Sequence, residues 1–231
     1  MIIFLAGPIY GKINQFIEKV EETEAKLKTK ADYILQVGNL GCFPDPFNMD
    51  RAMRTHAGVG DFPNLYVQQA PMPRPTIFIS GKHEDHTWME SMLSRSRTEL
   101  IPNLFWLLNG YSIDLGFGSD KASVVGLGKV FNPTTYNKGR GNSKKRLAHY
   151  TRSEVEKACS FGPHDLLICH EPPSSEGISH IISATRPKLV VHPKRSFSKP
   201  SNCLTSVIAL GELEIIPVCM TNDSFAILPI D

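Results

Sequence analysis

The chain has 231 residues, 41% of them hydrophobic and 21% charged, with a formal net charge of +2. That is enough apolar material for one globular domain with a substantial core, and too little net charge to mark a nucleic-acid binder by composition. Five cysteines (Cys42, Cys159, Cys169, Cys203, Cys219) with no C-x-x-C pair argue against a disulfide framework or zinc ribbon; they fit reduced thiols in a soluble intracellular protein, cytoplasmic or nuclear.

The opening Met1-Ile2-Ile3-Phe4-Leu5-Ala6-Gly7 has no basic flank and an apolar run far shorter than a membrane span. It reads as a buried strand over residues 2–6, so no signal peptide and no membrane association are expected. Ile13, Phe16, Ile17, Val20 and Leu27 recur at helical spacing between Lys12 and Lys28, and Ala31 to Val37 gives a second buried strand. The three form a βαβ unit with a parallel pair. Residues 40–75 hold many Pro and Gly with little periodicity beyond a short helix near Asn48 to His56, and read as a long excursion over the functional face. After a strand at Ile77–Ser80 come three short β candidates, Phe105–Leu108, Tyr111–Asp114 and Ala122–Val125, with a hairpin expected around Asn109-Gly110. A basic, Gly-rich loop runs from Asn132 to Arg146. A helix from Thr151 to Ser160 follows, with Thr151 as N-cap and Glu154 three residues on. A strand at Asp165–Cys169, a helix near Ser175 to Ala184, a strand at Lys188–Val191 and strands at Leu204–Leu210, Glu214–Met220 and Ser224–Leu228 complete the chain. With no repeat, linker or low-complexity segment, residues 1–231 read as a single domain.

Polar residues gather where these strands end. Gly7-Pro8-Ile9-Tyr10-Gly11, Gly38-Asn39-Leu40, Gly81-Lys82-His83-Glu84, His170-Glu171-Pro172 and His192-Pro193-Lys194 each follow an apolar run. In open α/β sheets the carboxyl ends of strands are where ligand sites assemble. Together with Ile101-Pro102-Asn103-Leu104-Phe105 and the Gly126-Leu127-Gly128 turn, the order and spacing of these pieces resembles the calcineurin-like metallophosphoesterases, and most closely the RNA lariat-debranching enzymes. The resemblance runs over most of the chain and implies a four-layer αββα sandwich, two mixed β-sheets flanked by helices.

Carried over residue by residue, the resemblance also implies departures. The family's first loop offers Gly-Asp-x-His, or Gly-Cys-x-His in debranching enzymes, where this chain has Pro8 and Tyr10. The bridging Asp becomes Asn39, the Asn of Gly-Asn-His-Glu becomes Lys82, and the second His of Gly-His-x-His becomes Lys194. Proline has no side-chain donor atom, and an ammonium has three donors and no acceptor, so neither binds a cation. Of the usual ligands His170 and His192 remain, beside His83, the family's proton donor to the phosphate or its leaving group. Gly60-Asp61-Phe62 matches a debranching-enzyme bridging motif in letters, but its spacing to Gly81 is about half what that role needs and it follows no strand.

The expectation is a catalytically degenerate metallophosphoesterase-like protein that binds a phosphate-bearing ligand, RNA or a nucleotide, or a protein partner. No metal is expected. Tyr10, Asn39, Lys82, His83, His170, His192 and Lys194 would line its site, with Glu84 and Glu171 the nearest compensating carboxylates. Splicing-associated relatives of the debranching enzymes are similar in having lost such ligands. The alternatives are an active phosphodiesterase with one manganese or other divalent ion on Asn39, His170 and His192 and His83 as general acid, and a scaffold with a vestigial pocket. Taken singly, the two histidines also suit hydrogen-bonded strand ends, the lysines suit solvated side chains, and Tyr10 suits a filler of lost volume. Lys138, Arg140, Lys144, Lys145 and Arg146, flanked by Tyr136, His149 and Tyr150, could track single-stranded nucleic acid by phosphate contact and stacking, or form a solvated loop.

Overall fold

Both faces of the first strand are apolar, and the computed structural model, which describes residues 1–141, 143–193, 208–210, 213–218 and 225–229, buries both. In β1 (Ile2–Ala6), Ile3 and Leu5 face one core while Phe4 and Ala6 face another. This is what a continuous apolar run produces when a strand alternates sides at period two. β1 pairs in parallel with β2 (Tyr33–Gln36) across the helix α1 (Ile13–Leu27), as the opening βαβ pattern requires.

The excursion that follows is more ordered than its Pro and Gly content suggests. It carries a 3₁₀ turn at Pro46–Asn48, then α2 (Arg51–Ala57), capped by the Asp50 side chain, and α3 (Phe62–Gln68). α3 lacks a clear apolar period, and it forms because Phe62, Leu65 and Tyr66 pack on the core beneath, with Trp88 edge-on to both rings. Beyond β3 (Thr76–Phe78) lies α4 (His86–Leu93), which sequence periodicity did not mark. Its signal is Asp85, whose carboxylate accepts from Trp88 N at 3.0 Å as an N-cap.

β4 (Glu99–Ile101) and β5 (Leu104–Trp106) form a hairpin around Pro102-Asn103, with Asn103 left-handed at φ +66°. β6 (Tyr111–Leu115) pairs not with β5 but with β7 (Ala122–Leu127). The hairpin expected at Asn109-Gly110 is therefore a crossover: β5 stays in the first sheet and β6 opens the second. Asn109 turns its side-chain oxygen to Gly128 N at 2.9 Å instead of closing a two-residue loop. The basic region holds α5 (Pro133–Lys138) and a 3₁₀ turn at Lys144–Ala148. α6 (Arg152–Cys159) begins at the expected capping box of Thr151 and Glu154. β8 (Leu166–Cys169), α7 (Glu176–Thr185), β9 (Leu189–Pro193), β10 (Ile208–Leu210), β11 (Leu213–Val218) and β12 (Phe225–Pro229) follow.

The strands make two mixed sheets, one ordered β10-β11-β1-β2-β3-β5-β4 and one ordered β12-β9-β8-β7-β6. Three apolar cores separate four layers. Ile13, Phe16 and Val20 of α1 and Met89 and Met92 of α4 cover the outer face of the larger sheet. Ile3, Leu35, Ile77, Val124, Ile168 and Val191 fill the space between the sheets, and Val155 and Ala158 of α6 with Ile178 and Ile181 of α7 cover the smaller one. The αββα sandwich is the observed fold. Each fully buried aliphatic side chain stabilises it by roughly 1.5–3 kcal/mol. Among the described residues no helix is long and apolar enough to cross a membrane.

Candidate functional site at the strand ends

β1, β2, β3, β8 and β9 are mutually parallel within their sheets, so their carboxyl ends lie at one edge and their loops meet there. The meeting is close. A Cβ on Gly81 would fall 2.2 Å from Asn39 Oδ1, and one on Gly38, whose φ is +89°, would fall 2.6 Å from His170 Nδ1. Only glycine permits that approach.

Within this edge the side chains are held by the backbone. Asn39, itself left-handed at φ +54°, is buried, and its Oδ1 accepts the His83 N–H at 3.0 Å. Its carbonyl accepts from Tyr10 N at 2.8 Å, so one residue ties the first, second and third loops. Glu84 is wholly buried and accepts four backbone N–H groups, from Leu40, Gly41, Cys42 and Gly81, at 2.8–3.2 Å. Burial pushes its carboxyl up and the four N–H donors pull it back, for a net rise above the usual range. Glu84 thus faces backbone donors rather than the solvent-exposed Lys82, and Glu171 accepts from Phe131 N at 2.9 Å, Ser175 Oγ at 2.7 Å and Tyr150 OH at 3.1 Å.

The three residues of the Lys82-His83-Glu84 run have three different surroundings. Lys82 is exposed to solvent, Glu84 faces the interior, and His83 is half-buried between them. The His83 ring donates through Nδ1 to Asp50 Oδ2 at 2.7 Å. Asp50 arrives from the excursion, where it also caps α2 through Met53 N at 2.9 Å. Burial raises the Asp50 carboxyl, and the bonds from His83 and Met53 N outweigh it, so it lies below the ordinary carboxylate range. Sequence reading missed Asp50 as a partner of His83, although Asp-x-x-Met at a helix start was a legible cap. Tyr10 packs on Phe43, Met49 and Met53, and its ring centroid lies 6.2 Å from that of His83.

The two histidines expected at the site come from the smaller sheet. His170 is buried and donates through Nδ1 to Val37 O at 2.7 Å, across to the end of β2. His192 is buried, with Nδ1 3.0 Å from Pro193 O, and burial lowers its basicity. Lys194 lies outside the described residues. Among those described, no three His, Cys, Asp or Glu side chains are grouped so as to hold a metal ion. Asp61, the lettered match to a bridging ligand, starts α3 and accepts from Asn14 N at 2.8 Å beneath the first loop.

A lysine that sequence reading passed over lies at the same edge. Lys129 lies two residues beyond β7, is 2% exposed, donates its N–H to Ser80 O, and places Nζ 3.3 Å from Glu90 Oε1 on α4. Burial lowers its basicity, and the nearby Arg140 charge lowers it further. In the basic region Lys138, Lys144 and Lys145 are exposed, Arg146 is half-buried, and Arg140 is committed to Glu154 at 2.6 Å and to His149 O at 3.0 Å. Of the three flanking aromatics His149 is half-buried and the two tyrosines are not at the surface. Tyr150 is fully buried with its hydroxyl on Ser175, and Tyr136 is buried against Phe131 and Tyr150, because both rings belong to the core over the smaller sheet. A polar cleft of about 500 Å³ between α5, α6 and α7 is lined by Tyr136, Arg152, Glu156, Glu176 and His180, and by Ser174 of the loop after β8.

No family model matches the chain. It is similar to the lariat debranching enzyme of Arabidopsis thaliana, 24% identical over 219 residues that cover 88% of this chain and 51% of that protein. It is also similar to lariat debranching enzyme A of Xenopus laevis, 25% identical over 76% of this chain and 34% of the relative. For the lariat debranching enzyme of Saccharomyces cerevisiae the identity is 29% over 60% of this chain and 33% of the relative. The chain thus spans about half or less of the length of these curated relatives. On the fold, the strand-end loops and these matches together, the chain is related at low identity to the lariat debranching enzymes, and through them to the calcineurin-like metallophosphoesterases.

Proposed function

We propose that this chain is a catalytically degenerate metallophosphoesterase-like protein that binds a phosphate-bearing ligand, RNA or a nucleotide, at the strand-end loops without a metal centre. One observation carries the reading: Asn39, which stands where the family has its bridging carboxylate, is neutral and spends its side-chain oxygen on the His83 N–H at 3.0 Å. A bridging ligand must bring negative charge between two cations, and a committed amide brings none. Pro8 adds no donor atom and Lys82 adds a cation, so the residues at these three loops do not fit a dinuclear site. What they offer a phosphate is positive charge and hydrogen-bond donors. His83, oriented by Asp50 through Nδ1, keeps Nε2 as the nitrogen that can meet a ligand oxygen, and exposed Lys82 adds charge beside it. Lys138, Lys144 and Lys145 supply exposed charge for a longer polyanion, by phosphate contact without stacking, since Tyr136 and Tyr150 are buried.

The test is fluorescence anisotropy with short single-stranded RNA in the presence of a chelator, at two salt concentrations. Binding that weakens as salt rises is expected, and a flat, salt-independent response removes the RNA proposal. The His83–Asp50 contact favours a second reading, a residual phosphodiesterase with a single metal, because it is the arrangement a proton donor needs. Turnover of a generic phosphodiester with added manganese, abolished by His83→Ala, would replace the first reading with the second. A protein partner on this face is a third occupant, to be sought if no phosphate ligand binds.

A further inference from the structure

One wall of the cleft between α5, α6 and α7 is a helical stripe: Glu176, Ser179, His180 and Ser183 fall at i, i+3, i+4 and i+7 on α7, so they share a face. Arg152 and Glu156, one turn apart on α6, form the opposite wall. That spacing would let the guanidinium pair with Glu156. Instead it turns away: Arg152 donates through Nη2 to Asn137 Oδ1 at 2.8 Å and lies over the Tyr136 ring, 5.3 Å from its centroid. Glu156 and Glu176 therefore share a cleft of about 500 Å³ with no ion-pair partner among the described residues. Tyr136 closes the end of the cleft. Its side chain is 4% exposed, packed by Phe131 and Tyr150, and its hydroxyl makes no hydrogen bond among the described residues. That hydroxyl lies within the field of both carboxylates: burial first, then the Glu176 charge, with Glu156 adding to it, raise the phenol above its ordinary value against the opposing pull of Arg152.

Two carboxylates and a phenol oxygen are three acceptor groups, and an alkylammonium offers three N–H donors and no acceptor. We propose that this cleft binds a primary ammonium group carried on an aliphatic chain, with Glu156 and Glu176 supplying the charge and the Tyr136 hydroxyl a neutral acceptor. A dication is a poorer match. Its ligands must close to roughly 2.0–2.6 Å, and no three His, Cys, Asp or Glu side chains among the described residues are so grouped. An anion is poorer still, since two carboxylates face it and the one guanidinium is committed to Asn137 and the Tyr136 ring. A free polyamine and a lysine side chain of a protein share this ammonium chemistry.

Titration of the isotope-labelled full chain with propylamine, followed by backbone amide shifts in nuclear magnetic resonance, tests it. Saturable shifts confined to residues 152–156 and 174–183 and the neighbourhood of Tyr136 are expected. Glu156→Gln combined with Glu176→Gln, which keeps both shapes and removes both charges, weakens binding by about tenfold or more and leaves the rest of the spectrum in place. Tyr136→Phe, which keeps the ring and removes the third acceptor, weakens it by about threefold. Shifts that fail to saturate, or that equal those at the exposed Glu18, Glu21 and Glu22 of α1, overturn the proposal, because any cluster of carboxylates would then serve. Binding that survives the double substitution overturns it as well. Saturable binding of acetate at the same amides would replace it with an anion site on Arg152, and calcium bound more tightly than the amine would replace it with a metal site. Putrescine and Nα-acetyllysine methylamide separate the two sources: tighter binding of putrescine assigns a free polyamine, and equal or weaker binding assigns a lysine side chain.

Discussion

The loops of the two sheets treat their polar side chains differently. On the larger sheet, Asn39 and Glu84 turn inward and accept backbone N–H groups, so the first three loops are laced to one another directly. On the smaller sheet, His170 and His192 each hold a carbonyl through Nδ1, that of Val37 for His170 and that of Pro193 for His192. The difference teaches that loop geometry and ligand chemistry are separable. A buried carboxylate under four N–H groups can hold loops in place as a shared ion would, but it cannot polarise a phosphate.

The largest effect follows from that lacing. Glu84→Ala orphans four backbone donors at once and is expected to cost roughly 3–5 kcal/mol in urea unfolding. A loss under about 1 kcal/mol would mean that the loops are held by something else. Next comes the buried ammonium of Lys129, just beyond β7. Glu90→Ala strands the Lys129 charge and is expected to cost roughly 2–3 kcal/mol, whereas Lys129→Met, which removes the charge and keeps the volume, costs less than about 1 kcal/mol. Equal costs would show that the pair stabilises by attraction rather than by avoiding an unpaired charge.

Acid sensitivity sharpens the comparison further. His86, buried on α4 beside Lys129, is pushed down to about 3, by burial first and the Lys129 charge second, with Arg140 adding to the effect. In the unfolded chain it titrates near its ordinary value. Its contribution is complete above about pH 6.5 and is lost as pH falls toward 3, with a slope of up to about 1.4 kcal/mol per pH unit. His86→Gln is expected to flatten that limb of a stability-against-pH curve, and an unchanged slope would remove the assignment. Smaller still, Asp50→Ala removes the α2 cap and the His83 contact, with an expected loss of about 1 kcal/mol because the carboxylate is part-exposed.

Much of this was legible in the sequence. The apolar runs of β1, β2, β8 and β9 and the Thr151–Glu154 capping box needed only local pattern, and glycine at 38 and 81 marked the loops that must touch. The crossover at Asn109-Gly110 was not legible, because a turn pair states that the chain bends and not which sheet it enters. α3 was hidden because the ring that its Phe62 and Tyr66 pack against, Trp88, is distant in sequence. Tyr136 and Tyr150 read as surface aromatics beside basic residues, and only the helix layer over the smaller sheet shows why they are buried. Asp50 reached His83 over 33 residues, a distance no local period reports. Lys129 followed an ordinary glycine turn, with nothing in its neighbours to mark it as buried.

On the proposed reading, a phosphate-bearing ligand is held by side chains and backbone alone. The most direct measurement is the affinity of the purified chain for short single-stranded RNA, taken in chelator and again after manganese is added, with bound metal quantified by elemental analysis. Salt-sensitive binding of equal strength in both conditions, with no stoichiometric metal, is the expected result. Two tightly retained metal equivalents, with binding that disappears in chelator, would contradict it.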